Sequence, residues 1–166
     1  MRLTTSYMIA LCTIALPAHA ATDDFCKVIL ALGADAKNDF ANFRGTAIGP
    51  PTTNSAGWIT TPLAATRTLP GASSCVVNLI THPVHQKLGG YDYVCDFPPE
   101  STKVETMNRI TTPLLNCPGI GEVQLGAFIE DTIDDTASVV FSGPDFRAGF
   151  FADRGQKNVR VTLSKL

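Results

Sequence analysis

The sequence predicts a small disulfide-bridged α+β domain, an antiparallel β-sheet with two helices packed on one face. Three observations predict it. Apolar positions recur at helical spacing in two separated segments, 25–43 and 104–115. Between and after them, short runs of strand-forming residues are joined by turns containing Gly or Pro. Four widely spaced cysteines, Cys26, Cys75, Cys95 and Cys117, connect these segments. Strands joined by short turns, with helices set apart from them, is the pattern of an α+β fold.

The N-terminus has Arg2, an apolar run from Tyr7 to Leu16, Pro17 and then Ala18-His19-Ala20. That is the layout of a secretory signal peptide cleaved after Ala20. The run is too short to span a bilayer, which takes roughly 20 apolar residues. A lipoprotein signal centred on Cys12 is unsuitable, because Leu11 stands where a small residue is needed. Residues 1–20 are therefore set apart, and 21–166 form one domain. No later stretch is apolar enough to anchor the chain in a membrane. Removing Arg2 leaves twelve Lys and Arg against fifteen Asp and Glu, and no basic cluster offers itself to nucleic acid.

In the first helical segment Phe25, Val28, Ile29, Leu32, Ala36, Phe40 and Phe43 make one apolar face. Thr22 is the expected N-cap, and Arg44-Gly45 the expected end. Gly33 costs about 1 kcal/mol relative to Ala in a helix interior and allows a bend. Residues 46–57, rich in Pro, Gly, Ser and Thr, read as a loop. Trp58 opens a strand that Pro62 confines to an edge or a bulge, and Trp58 itself reads as a packing residue.

The centre of the chain is a hairpin. Pairing residues whose numbers sum to 170 sets Cys75 opposite Cys95, Val77 opposite Tyr93 and Leu79 opposite Tyr91. With alternate residues sharing a face, these six and Phe97 line the core, while Asn78, Asp92 and Asp96 point away. A slip of one residue would bury the acids. The expected bridges are therefore Cys75–Cys95 and Cys26–Cys117. Four mature cysteines with no C-x-x-C fit structural disulfides in an oxidising compartment and suit neither a zinc ribbon nor a redox pair.

Beyond the hairpin, Thr102 to Glu105 form a capping box for a helix carrying Val104, Met107, Ile110, Leu114 and Leu115. Pro113 should kink or divide that helix, and Pro118-Gly119 should end it. Residues 121–137 are ambiguous between strand and loop. Their acids Glu130, Asp131, Asp134 and Asp135 lack the D-x-D-x-D-G pattern of a calcium loop and read as a solvated face. Three strands close the chain, around turns at Gly143-Pro144-Asp145 and Arg154-Gly155. A two-residue second turn would place Phe150 opposite Val159 and Phe146 opposite Leu163. Arg147 and Phe151 then share the outer face.

Tyr91-x-Tyr93-x-Cys95 and the segment SGPDFRAG at 142–149 resemble features of lysozyme-inhibitor domains. The resemblance is confined to these two short segments, and no site residue is carried over from it.

No catalytic, cofactor-binding or metal-ligating set stands out. His82 and His85, the only histidines after Ala20, share the hairpin loop with no further ligand nearby. No G-x-S-x-G nucleophile motif occurs. The expectation is an exported periplasmic or secreted binding protein without a cofactor, an inhibitor or immunity protein that blocks a hydrolase or toxin by protein–protein contact. Arg147, Phe151, His82 and His85 are its candidate contacts. The alternatives are a small hydrolase using the His82/His85 loop and an envelope structural or stress protein without a discrete site.

Overall fold

The computed structural model describes residues 18–85, 88–98, 103–115, 117–120, 123–125, 137–142, 146–152 and 159–165. Helix α1 spans Ala18–Ala36, followed by strands β1 (Arg44–Ala47), β2 (Thr52–Thr53), β3 (Ile59–Ala65), β4 (Ser74–Thr81) and β5 (Gly90–Phe97). Helix α2 spans Lys103–Leu115, and strands β6 (Val123–Leu125), β7 (Ala137–Ser142), β8 (Phe146–Ala152) and β9 (Val159–Lys165) complete the chain. The strands form one sheet in the order β1-β3-β4-β5-β9-β8-β7-β6, with β2 also on β3. Every described pairing is antiparallel.

The hairpin register is the one the alternation demanded, with Cys75 opposite Cys95, Val77 opposite Tyr93 and Leu79 opposite Tyr91. The row continues across the sheet from Val77 and Tyr93 through Leu163 to Ala148, all four fully buried. Against this face pack Phe25, Ile29 and Leu32 of α1 and Met107, Ile110 and Leu114 of α2. The Tyr93 hydroxyl, buried within this core, donates to the Arg67 carbonyl. Burial raises its pKa to about 12.

Both expected disulfides are present, with Cα atoms 5.6 Å apart in Cys26–Cys117 and 4.1 Å apart in Cys75–Cys95. The first ties α1 to the turn just after α2, and the second crosses the central hairpin.

Helix α1 departs from expectation at both ends. It begins at Ala18, so Thr22 is not its N-cap, and it stops at Ala36, well before Arg44. Asp39 and Phe40 adopt left-handed backbone with φ of 57° and 56°, which breaks the helix. The buried Asp35 carboxylate holds the break by accepting from the Asn42 backbone N–H at 2.8 Å and its Nδ2 at 2.7 Å. Phe40 and Phe43 still reach the core through this turn, both packing on Tyr93. At Gly33 the helix stays continuous, and an added Cβ would fall inside the Phe146 ring.

Segment 46–57 is not all loop, since β1 ends in it and β2 lies within it. Strand β3 is also not an edge, having β4 on one side and β1 and β2 on the other. Pro62 is accommodated by a gap. Its carbonyl accepts from Ile48 N–H at 3.0 Å, and in an antiparallel strand a residue's N–H position and C=O face the same side. The donor that proline lacks would thus point between β1 and β2, where the ladder is interrupted.

Pro113 lies in the final turn of an undivided α2, and Leu115 is exposed where burial was expected. Strand β6 resolves part of the ambiguous 121–137 segment. Strands β8 and β9 pair two residues away from the expected register, Phe150 with Val161 and Phe146 with Lys165. A shift of two preserves the faces. Thr102, both C-terminal turns and the four acids at 130–135 lie outside the described residues.

Candidate functional site

Helices cover one face of the sheet, and the charged residues of the central strands share the other. There Asp92 of β5 is opposite Ser164 of β9, which is opposite Arg147 of β8. Four residues along, Asp96 is paired with Arg160 through a 3.0 Å contact. Arg147 is exposed as expected. Position 151 lies opposite Arg160, while the Phe151 side chain is outside the described residues.

His82 and His85 lie at the tip of the β4–β5 hairpin, where a second structured turn meets them. Asn54 Oδ1 accepts from the N–H groups of Ala56 and Trp58, both at 3.0 Å, and Gly57 completes the turn with φ of 84°. That turn aims the Ala56 carbonyl at His82 Nε2, 3.1 Å away. His82 Nδ1 accepts from the N–H groups of Val84 at 3.1 Å and His85 at 3.0 Å. Two donors at Nδ1 require its lone pair, so the proton sits on Nε2 and is donated to Ala56. Both ring nitrogens are thereby engaged in shaping the loop. The His82 ring also lies edge-on to Trp58 at 4.9 Å and beside the His85 ring at 4.7 Å.

The loop so held displays Val84, 77% exposed, and Leu88, 69% exposed. They are the two most exposed of the large apolar side chains among the described residues. The sequence reading passed over both, although two aliphatic residues in an otherwise polar turn were a visible signal.

Beside the loop lies an open cleft of about 580 Å³. Trp58, Ile80, Leu88 and Tyr91 give it apolar and aromatic walls. Asp39, Asp92, Ser164 and Lys165 supply its polar groups. Gly89 is needed at its rim, because a Cβ there would collide with the Ile80 carbonyl oxygen. The Asp92 carboxyl is partly withdrawn from water, and this burial raises its pKa. Lys165 lies 4.0 Å from Asp39, and the Arg44 guanidinium lies over the Tyr91 ring at 4.2 Å. Trp58 is half-buried at the edge of this cleft, where its ring packs on His82, in keeping with a rim packing residue.

Among the described residues no group of three His, Cys, Asp or Glu could hold a metal ion, and no helix is long and apolar enough to cross a membrane. In comparison with known proteins, no family model, no curated protein and no solved structure matches the chain.

Proposed function

We propose that the chain is exported to the periplasm or beyond, loses residues 1–20, and binds a hydrolase or toxin as its inhibitor or immunity protein. The observation that carries this reading is the β4–β5 loop, in which three hydrogen bonds to one imidazole fix a turn that displays Val84 and Leu88. A contact loop ordered before binding loses little conformational freedom when it docks. Exposed aliphatic anchors on such a loop suit insertion into a partner's cleft. Two disulfides stabilise a small domain in the oxidising compartment that the N-terminal leader implies.

Hydrolysis through His82 fits less well. A general base needs a free nitrogen within reach of the proton it removes, and both nitrogens of His82 already serve the loop.

The test is affinity capture from envelope extract with the mature chain, followed by assay of the captured protein with and without it. The expected result is a partner whose activity is blocked, with Val84→Asp weakening the complex by about tenfold or more. A captured partner that remains fully active, or that binds Val84→Asp as tightly, overturns the proposal.

A further inference from the structure

The cleft beside the loop has a chemistry of its own. Its lining joins Trp58 and Ile80 to hydrogen-bonding groups from Asp92 and Ser164, which are directly opposite each other on neighbouring strands, while Tyr91, next to Asp92 in β5, faces the helix side. We propose that this cleft is a binding site for a neutral oligosaccharide, stacked against Trp58 and hydrogen-bonded to Asp92 and Ser164. The cleft adjoins the protein-contact loop, with Leu88 in both, but the proposal does not depend on that function.

The neutrality follows from the charges around it. Both signs of charge line the cleft: Lys165 lies 4.0 Å from Asp39, and Asp92 adds a second carboxylate. A cationic ligand would meet Lys165 in the lining and would find the Tyr91 ring already covered by Arg44. An anionic one would meet two carboxylates. A purely apolar ligand would cover Asp92 without offering it a donor, at the cost of desolvating a charged group. A sugar meets each demand at once: its hydroxyls donate to Asp92 and exchange hydrogen bonds with Ser164, while the apolar face of its ring lies on an indole. At about 580 Å³ the open cleft has room for more than one sugar unit.

Trp58 is the only tryptophan in the chain, so its fluorescence reports on the cleft directly. The experiment titrates the mature protein with chitotriose, maltotriose and cellotriose, and with trigalacturonate as a charged counterpart. We expect a saturable fluorescence change with at least one neutral trisaccharide, at a Kd near or below about 1 mM. Asp92→Ala should weaken that binding by about tenfold or more, and Ser164→Ala should weaken it less. Val84→Asp should leave it unchanged, which separates this site from the proposed partner contact. Calorimetry repeats the measurement without relying on Trp58, and far-UV circular dichroism confirms that each variant is folded. Absence of saturable binding by all three neutral sugars up to about 10 mM, ten times that Kd, overturns the proposal. So does equal or tighter binding of trigalacturonate, or full affinity in both folded cleft variants.

Discussion

Asp92 is held where an ionised carboxylate is disfavoured. Burial raises its pKa above the ordinary value of 3.8. Among the described residues, no cation or hydrogen-bond donor is in contact with it. The folded protein therefore keeps this proton to higher pH than the unfolded chain does. The contribution to stability is greatest below the unfolded value, declines as pH rises through the raised one, and remains a penalty at neutral pH. Asp92→Asn should remove that penalty and raise the Tm at pH 7 by on the order of 2 °C, with the gain vanishing in acid, where both side chains are uncharged. Thermal unfolding at pH 3 and pH 7 measures it. A lower Tm at pH 7 would mean that the carboxylate has a structural partner, and that its burial does not mark a ligand site. A residue that costs stability yet stands in a cleft beside Trp58 is what a binding function would require.

At the scale of elements, helix α1 and strand β8 meet at one close approach. Gly33 in a helix interior ordinarily invites replacement by Ala, with a gain of about 1 kcal/mol. Here the new Cβ would occupy the space of the Phe146 ring, which is 1% exposed and has nowhere to move. Gly33→Ala should therefore destabilise the protein by about 1–3 kcal/mol, read from the urea midpoint, and adding Phe146→Leu should recover part of the loss. Stabilisation by the single change would show that the helix and strand are less tightly apposed. The sequence foretold Gly33 as a weak point of the helix but not its role, because the partner lies more than a hundred residues away. The hairpin was legible for the opposite reason: its pairing is local, alternation keeps Tyr93 and Phe97 in with Asp92 and Asp96 out, and setting Cys75 opposite Cys95 picks the register. The end of α1 was not legible, since Phe40 and Phe43 keep helical spacing although the chain there turns through left-handed backbone. His82, His85 and Arg147 were singled out, whereas Trp58, Asp92 and Ser164 come together only when β3, β5 and β9 are aligned.

For the molecule as a whole, the two disulfides restrain different things. Cys26–Cys117 closes a separation of 91 residues and joins α1 to the end of α2, so it confines the whole sheet-forming middle of the chain. Cys75–Cys95 closes only 20 residues, within a hairpin whose inward and outward faces alternation already fixes. On loop-closure entropy the wide bridge contributes about 4–5 kcal/mol and the hairpin bridge about 3 kcal/mol. The double variant Cys26→Ser/Cys117→Ser should accordingly lose more stability than Cys75→Ser/Cys95→Ser in equilibrium denaturation without reductant. The difference should also be one of kind. Without the hairpin bridge, Val77, Tyr93 and Phe97 still require the same strand alignment, and His82 still organises the turn above it. That variant should thus keep the fluorescence of Trp58 in its cleft while unfolding at lower denaturant. If losing Cys75–Cys95 instead abolishes the folded Trp58 signal under conditions where the protein remains folded by circular dichroism, the bridge, and not the alternation of buried residues, sets the geometry of the loop and cleft.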